Sequence, residues 1–319
     1  LFMSPLVLAV VCAGAVLVVA AVIFFALSYV CYVMAFRKKR KPTDPQDLPR
    51  TEQNAPYYEK IRAMIRDAQS LPYEEVSVQS FDGLTLFGKL YMVRPGAPIR
   101  LLFHGYRSAG ERDFSGGLKQ TLTDGHNALM VDQRAHGKSR GKTIAFGVNE
   151  RYDCLSWIKY ISDRFGNGQK IILVGVSMGA ATVLMAGGLD LPDNVVGIIA
   201  DCGYTSPKEI IKKVIRDMHL PAGITYFFAH CGARIFGRFD VDAAGAEEAL
   251  RHCRVPVLFI HGDEDYFVPV EMTKKNYAAC ASKKQLLIVH GAGHALSYLV
   301  DENAYIAAER KFIADILPQ

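Results

Sequence analysis

Residues 170–186 read KIILVGVSMGAATVLMA, an apolar run that leads through Gly-Val-Ser-Met-Gly at 175–179 into a small-residue helical pattern. The run is typical of a buried parallel strand. A strand that turns directly into a helix strains the residue between them and exposes its side chain, while flanking glycines let strand and helix approach closely. The stretch lacks the Lys and the spacing of a phosphate-binding loop. It therefore predicts an α/β sheet that presents Ser177 as a nucleophile.

The chain around this turn alternates apolar runs with helical patterns. Two strand-like runs, 75–80 and 84–93, flank Phe81-Asp82-Gly83 and predict an antiparallel start. Buried parallel strands are predicted at 99–103, 127–131, 170–174, 195–200, 255–260 and 285–289, and helices at 57–70, 149–165 and 298–316. The alternation predicts the α/β class, with a mostly parallel central sheet and helices on both faces.

More than fifty residues separate the runs at 195–200 and 255–260, which is too many for a plain loop. Helical patterns at 207–219 and 222–237 supply much aromatic surface. We expect residues 206–254 to form a small helical cap over the carboxyl edge of the sheet, where ligands bind in such folds. The alternative is an ordinary helical insertion packed on the flank.

A serine nucleophile needs a base to take its proton and an acid to hold the tautomer of that base. The carboxyl ends of parallel strands face one crevice, so the loops after 255–260 and 285–289 can deliver both groups. The first loop reads HGDEDYFVP over 261–269, and the second reads HGAGH over 290–294. Serine, then acid, then base is the expected chain order on such a sheet.

From about residue 75 to its end, the chain resembles the α/β-hydrolase-fold serine hydrolases. The pattern H-G-x-x-D-x-x-V-P is similar to the acid loop of many members. It implies Asp265 as the triad acid and leaves Asp263 and Glu264 as solvated charges. Asp201 is the rival, because some members take their acid from the preceding strand.

The same resemblance implies the base and the oxyanion hole. The G-x-G-H pattern implies His294 as the base, with His290 in a structural role. The His-Gly-Tyr stretch at 104–106 resembles the oxyanion loop of the family. The Tyr106 amide is therefore expected to join the Met178 amide in stabilising a tetrahedral oxyanion.

Two further stretches resemble turns of the family. Residues 132–139, DQRAHGKS, are similar to D-x-R-G-H-G-x-S, with Ala135 in place of the usual glycine, and imply a scaffold turn. Residues 201–206, DCGYTS, resemble a turn of a membrane-tethered subgroup that includes the BEM46-like hydrolases.

The N-terminal part of the sequence is strongly apolar. Residues 1–36 contain no Asp, Glu, Lys, Arg or His, which explains the high mean hydropathy of +0.11. Leu6 to Phe36 is 31 residues, whereas a helix needs about 20 to cross a bilayer. The stretch lacks a basic start and is too long for a signal peptide. We expect a retained transmembrane anchor; a lipoprotein with Cys12 and a buried core helix are the alternatives.

The basic run at 37–41, RKKRK, accounts for the whole net charge of +5 and leaves 32 basic against 32 acidic residues elsewhere. Basic residues near a span are retained in the cytoplasm, so the C-terminal domain is expected to be cytoplasmic. Seven cysteines without a metal-ligand spacing fit reduced thiols. Because the charge excess is confined to this run, the composition does not indicate nucleic-acid binding.

We therefore expect a transmembrane anchor at 1–36, a basic juxtamembrane linker with a short helix at 37–74, and an α/β-hydrolase domain at 75–319. The expected activity is hydrolysis of small-molecule or lipid acyl esters, with medium or long acyl groups favoured, through an acyl-enzyme and without metal or cofactor. A serine peptidase or amidase of the same fold is the alternative enzyme. A non-catalytic membrane-bound binding module is the alternative of another class.

Overall fold

An eight-stranded sheet forms the centre of the computed structural model, which describes residues 4–39, 41 and 43–317. Arg40 of the predicted basic run lies outside the described residues, as do residues 1–3 and 318–319 of the predicted end regions. The strands are β1 (Glu74–Gln79), β2 (Thr85–Tyr91), β3 (Ile99–Phe103), β4 (Asn127–Val131), β5 (Ile171–Val176), β6 (Val195–Asp201), β7 (Val257–Gly262) and β8 (Lys284–Val289).

The strand order is β1-β2-β4-β3-β5-β6-β7-β8. β2 is antiparallel to both β1 and β4, and every later pairing is parallel. Every residue of β3, β4, β5 and β7 is buried, as expected for continuous apolar strands that helices cover on both faces. The predicted α/β class, the parallel sheet and its antiparallel start are confirmed.

Helices occupy both faces of this sheet. Leu101 of β3 packs into a core with Trp157 and Val183, whereas the next residue, Leu102, packs into a second core with Leu118 and Phe312. The helices are α1 (Pro5–Ala35), α2 (Tyr58–Ser70), α3 (Gly110–Asp113), α4 (Ser115–Thr123), α5 (Glu150–Phe165), α6 (Met178–Ala186), α7 (Pro207–Asp217), α8 (Ala222–Gly232), α9 (Ala246–Leu250), α10 (Val270–Ala279), α11 (Ser297–Val300) and α12 (Glu302–Ile316). The helices α5 and α6 therefore lie on one face, and α4 and α12 lie on the other.

Two predicted helices are interrupted. α8 stops at Gly232 and continues as a wider π-helical turn over Ala233–Gly237. The predicted helix at 298–316 is divided at Asp301, whose side chain accepts a hydrogen bond from the Ala304 amide at 2.9 Å. An aspartate in this position caps a new helix, so α12 starts there.

Among the described residues, α1 is the one helix long and apolar enough to cross a membrane. Its final turns pack against the rest of the structure. Tyr32 is buried and Phe36, directly after the helix, is fully buried in the core on the α5 and α6 side. The candidate transmembrane helix therefore runs without a break into the α/β domain.

Candidate active site

Ser177 lies in the sharp turn between β5 and α6. Its backbone has φ 56° and ψ −115°, a strained conformation for a residue with a side chain. A Cβ atom on Gly175 would overlap the backbone of Gly179, and one on Gly179 would overlap the Phe103 carbonyl of β3. The two glycines therefore permit the close packing that holds Ser177 at the carboxyl end of the sheet.

Ser177, His294 and Asp265 form a hydrogen-bonded series. The distance from Ser177 Oγ to His294 Nε2 is 2.9 Å, and that from His294 Nδ1 to Asp265 Oδ2 is 2.6 Å. A carboxylate can only accept, so Nδ1 carries the proton and Nε2 is left to accept from the serine hydroxyl. The loops after β5, β7 and β8 meet here because these strands are parallel and close together in the sheet.

Asp265 is held as a carboxylate by several donors. The amides of Phe267 and Val268 donate to Oδ1 at 2.9 and 2.8 Å, and His261 Nε2 lies 3.2 Å from Oδ2. Burial by itself raises the pKa of Asp265, but hydrogen bonds from His261 and His294 outweigh burial and lower it. The sequence interpretation gave His261 no role, although its position four residues before Asp265 was the available signal.

Asp201, the rival acid, occupies a different environment. Its backbone carbonyl accepts the Ser177 amide at 2.8 Å, but within the described residues its side chain forms no hydrogen bond to His294. Burial raises the pKa of Asp201 to about 6, against the opposing charges of His261 and His294. Its Oδ1 atom is buried without a hydrogen-bond partner in the part of the chain that the structure describes.

The three other polar candidates of the loops, His290, Asp263 and Glu264, lie at the surface. His290 Nδ1 is 2.6 Å from Asp263 Oδ2, and the His290 side chain is almost fully exposed. Glu264 is also exposed. None of these side chains reaches Ser177, so they contact each other or solvent rather than the candidate site.

The stretch 104–106 runs beside Ser177. A Cβ atom on Gly105 would lie 3.4 Å from Ser177 Cβ, and the Gly105 amide donates to Asp113 Oδ2 at 2.6 Å. Met178 is the first residue of α6, so its amide lies at a helix N-terminus, where N–H groups have no partner within the helix. The amides of Tyr106 and Met178 therefore belong to the two chain segments that border Ser177.

The side chains after Gly105 contact the end of α1. Burial raises the pKa of Tyr106 to about 12, so its hydroxyl stays protonated and donates to the Ala35 carbonyl at 2.7 Å. Arg107 donates to the carbonyls of Met34 and Arg37 at 3.0 and 2.8 Å. These bonds satisfy carbonyls that a helix C-terminus leaves without partners.

The turn at 132–139 supports this loop from the other side. The Arg107 amide donates to His136 Nε2 at 2.9 Å, while His136 Nδ1 donates to the Arg134 carbonyl at 2.9 Å. Burial and the neighbouring His104 lower the pKa of His136, which keeps its ring neutral and able to accept that bond. Ala135 adopts φ 63°, a conformation that favours glycine.

A cleft of about 600 Å³ opens beside Ser177 and His294, within the usual size range of small-molecule sites. Its lining is mostly apolar. Leu48, Ile61 and Met64 of the juxtamembrane segment form part of its wall. Further apolar lining comes from Leu102, Val174, Val176, Phe114, Leu296 and Leu299. The predicted cap region contributes Lys213 and Asp217 of α7 to the lining.

Two groups of described residues bring potential metal ligands together: Cys202 with Asp265 and His294, and His230 with Asp240 and Asp242. In the first group, Asp265 and His294 already bond each other at 2.6 Å. In the second, His230 and Asp240 are paired at 3.0 Å. Within each group, one pair of side chains is therefore already engaged with each other.

Residues 101–230 match the family described as the alpha/beta hydrolase fold. Among curated proteins, YqkD of Bacillus subtilis is 28% identical over 190 residues, which cover 59% of this chain and 62% of YqkD. Protein bem46 of Schizosaccharomyces pombe is 24% identical over 227 residues, 68% of each chain. YfhR of Escherichia coli K12 is 24% identical over 252 residues, 77% of this chain and 81% of YfhR.

Solved structures of esterases share the fold. The Pyrococcus furiosus esterase Pf2001 superposes with a TM-score of 0.65 at 21% identity, over 79% of this chain and 94% of its own. The Rhodococcus esterase RhEst1 gives a TM-score of 0.56 at 16% identity, over 76% of this chain and 99% of its own. The fold, the matched family and these neighbours make the chain an α/β hydrolase. Within that class, the chain is similar to bem46, which supports the BEM46-like type expected from the sequence.

Proposed function

We propose that this protein is a membrane-anchored serine hydrolase that cleaves carboxylic esters, with medium or long acyl groups favoured. The observation that carries the proposal is the hydrogen-bonded series Ser177, His294 and Asp265 beside a mostly apolar cleft of about 600 Å³. Its likeness in fold to solved esterases gives it additional support.

In the first half of the reaction, Ser177 Oγ attacks the ester carbonyl carbon and its proton passes to His294 Nε2. The carbonyl oxygen becomes an oxyanion, which the amides of Tyr106 and Met178 stabilise. Asp265 holds the His294 tautomer and stabilises the imidazolium. The C–O bond to the alcohol then breaks, His294 returns the proton to the departing oxygen, and the acyl group stays on Ser177.

In the second half, water takes the place of the alcohol. His294 removes one proton from the water as its oxygen attacks the acyl carbon, and the same amides stabilise the second oxyanion. The bond to Ser177 Oγ breaks, and His294 returns the proton to that oxygen. The products are the free acid and the restored serine, so the cycle consumes one water and requires no cofactor.

The cleft supports the preference for longer acyl groups. The walls of the cleft are mostly apolar, with Met64, Phe114 and Leu299 among the lining residues. Each buried methylene contributes about 0.8 kcal/mol, so a few added methylenes change kcat/KM by more than about tenfold.

The N-terminal helix supports anchoring, and the charges after it support an orientation. α1 has the length and composition of a membrane span. Lys38, Lys39 and Lys41 of the basic run are exposed close to its C-terminal end. Because basic residues near a span are retained in the cytoplasm, the hydrolase domain is placed on the cytoplasmic side in this proposal.

The proposal is tested with the full-length protein in detergent or nanodiscs, assayed against aryl esters of increasing acyl length and a dipeptide amide library. Activity should rise by at least about tenfold from acetyl to octanoyl or longer esters because of the apolar cleft. Higher kcat/KM on amides than on every ester would favour the peptidase alternative instead.

The control is Ser177→Ala, which removes the nucleophile and little packing. This variant should lose both ester hydrolysis and labelling by a fluorophosphonate probe while its thermal unfolding midpoint stays unchanged. If the purified variant is labelled as well as the parent protein, the assignment of Ser177 is wrong.

A further inference from the structure

α1 consists of two parts that differ in their contacts. Residues 4–23 are exposed throughout, whereas contacts with the domain begin at Phe24, and Ser28 and Tyr32 are buried. The exposed part corresponds to the roughly 20 residues that cover the hydrocarbon core of a bilayer. If α1 spans the membrane, the hydrocarbon boundary on the domain side therefore lies close to Phe24.

α8 lies beside the second part of α1 and runs in the same direction. Ring centroids are 5.9 Å apart for Phe24 and Phe228, and a Cβ atom on Gly232 would overlap the Ser28 carbonyl. Phe236, just beyond α8, lies 5.9 Å from Tyr32. The contacting residues recur every four positions on both helices, so the two helices stay level with each other. Because Phe228 is level with Phe24, residue 224 lies one turn, about 5 Å, to the membrane side of Phe24.

The surface at that level is apolar and uncovered. No Asp, Glu, Lys or Arg occurs from 218 to 233. Met218, Leu220, Ile224 and Phe227, on the α7–α8 turn and α8, are exposed, and Ile224 is the most exposed of them at 63%. His219 is the exposed residue with an ionisable side chain in this stretch. Exposed apolar side chains grouped in this way mark a site of interaction.

We propose that the tip of the α7–α8 hairpin, residues 218–227, inserts into the interfacial region of the lipid bilayer as a second membrane contact. This inference rests on the proposed anchoring by α1. The lipid bilayer is the partner because the tip adjoins the span. The Phe227 ring lies 6.1 Å from the Phe24 ring, so the exposed surface of the tip joins that of the span. A helix with an apolar face and few charges typically lies about 5–10 Å into the headgroup boundary.

The tip is joined to the candidate active site by α7. Asp217, next to Met218, lines the cleft and is paired with Lys213 at 2.5 Å. The Lys213 ammonium also lies 5.9 Å from the Phe267 ring, which contacts His294 at 5.0 Å. Insertion of the tip therefore brings the edge of the cleft that Lys213 and Asp217 form to the lipid surface. An ester held in the membrane is then the substrate class that reaches Ser177 without crossing water.

The test uses the full chain in nanodiscs whose lipids carry bromine on the acyl chains, because bromine quenches tryptophan at short range. The wild-type protein has one tryptophan, Trp157, which is 1% exposed and supplies the background. Ile224→Trp should be quenched at least about twofold more than this background, as expected for an inserted side chain. Phe81→Trp, a control on the β1–β2 turn, replaces another exposed aromatic residue and should show only the background.

Leu220→Trp gives a second reading of the tip if Ile224→Trp lowers the thermal unfolding midpoint. Quenching of the tip variants no greater than that of Phe81→Trp, in a protein that floats with vesicles, overturns the inference and leaves the anchoring standing. Greater quenching of the tip variants that occurs only at concentrations at which the protein self-associates also overturns the inference, in favour of a second copy. A chain that does not float with vesicles overturns the anchoring and this inference together, while ester hydrolysis in detergent reports separately on the proposed chemistry.

Discussion

Asp201 and Asp265 are both buried and within electrostatic reach of His294, yet their pKa values move in opposite directions. Burial dominates at Asp201 and raises its pKa to about 6. At Asp265, two amides and two histidines supply hydrogen bonds that outweigh burial. Pairs of carboxyl groups separated in this way commonly divide their roles, so Asp265 is the group suited to remain a permanent carboxylate.

At this scale we predict opposite outcomes for two isosteric changes. Asp265→Asn should lower kcat by about 10⁴-fold, because an amide no longer holds the His294 tautomer that accepts the serine proton. Asp201→Asn should retain most activity, since within the described residues its side chain forms no hydrogen bond to His294. The measurement is steady-state kinetics on one ester, with Asp263→Asn as the exposed control. An inactive Asp201→Asn with an active Asp265→Asn would show that the acid comes from β6.

At the scale of elements, the end of α1 is held by two different parts of the domain. The side chains of Tyr106 and Arg107 bond its last carbonyls, and α8 packs along its second part, which begins at Phe24. The candidate oxyanion loop and the candidate membrane helix are thus in direct contact. The contact between α1 and α8 depends on Gly232, where a Cβ atom would overlap the Ser28 carbonyl of α1.

We therefore expect Gly232→Ala to destabilise the protein by about 2 kcal/mol, because the added methyl group forces α1 and α8 apart. Gly223→Ala is the matched control in the same helix, since a Cβ atom there would have no neighbour within 4 Å. That change should leave stability equal or slightly higher, because alanine favours a helix over glycine. Thermal unfolding of both variants in one detergent checks the prediction. Equal midpoints for the two variants would contradict the close packing of α1 on α8.

At the scale of the whole molecule, the candidate active site is built from regions far apart in the chain. Leu48, Ile61 and Met64 come from the segment that follows α1, yet they line the cleft beside Ser177. α2 carries two of these residues and lies next to α4. The juxtamembrane segment therefore does more than connect two regions, since it forms a wall of the cleft.

The orientation of the molecule is predicted from its charge distribution. The basic run begins at Arg37, within about 15–20 residues of the end of the exposed part of α1, the range over which such charges direct topology. A reporter that works only after export, fused after Gln319, should be inactive, whereas a cytosol-dependent fluorescent reporter there should be bright. Neutral residues at 37–41 should weaken this preference. An active exported reporter on the unaltered protein would refute the orientation.

Much of the fold follows from the sequence alone because its signals are local. The run KIILV, the glycines at 175 and 179, and the apolar runs at 99–103 and 127–131 each specify a strand or turn through neighbours in the chain. The carboxyl ends of parallel strands share one edge, so the sequence already predicted that the loops at 261–269 and 290–294 reach Ser177, and the family resemblance implied Asp265 and His294 within them. Their catalytic roles remain predictions for the variants above.

Only the tertiary structure decided which carboxylate faces His294, which segment lines the cleft, and where α8 lies. Asp201 and Asp265 both follow buried strands, and their difference comes from how the loop at 261–269 folds back to place its amides on Asp265. Phe24 and Phe228 lie some two hundred residues apart in the sequence. The apolar pattern around each of them is the same whether the segment forms a core helix, a cap or a membrane contact. Local composition specifies that a surface is to be buried, but what buries it depends on packing between distant segments, which no local pattern records.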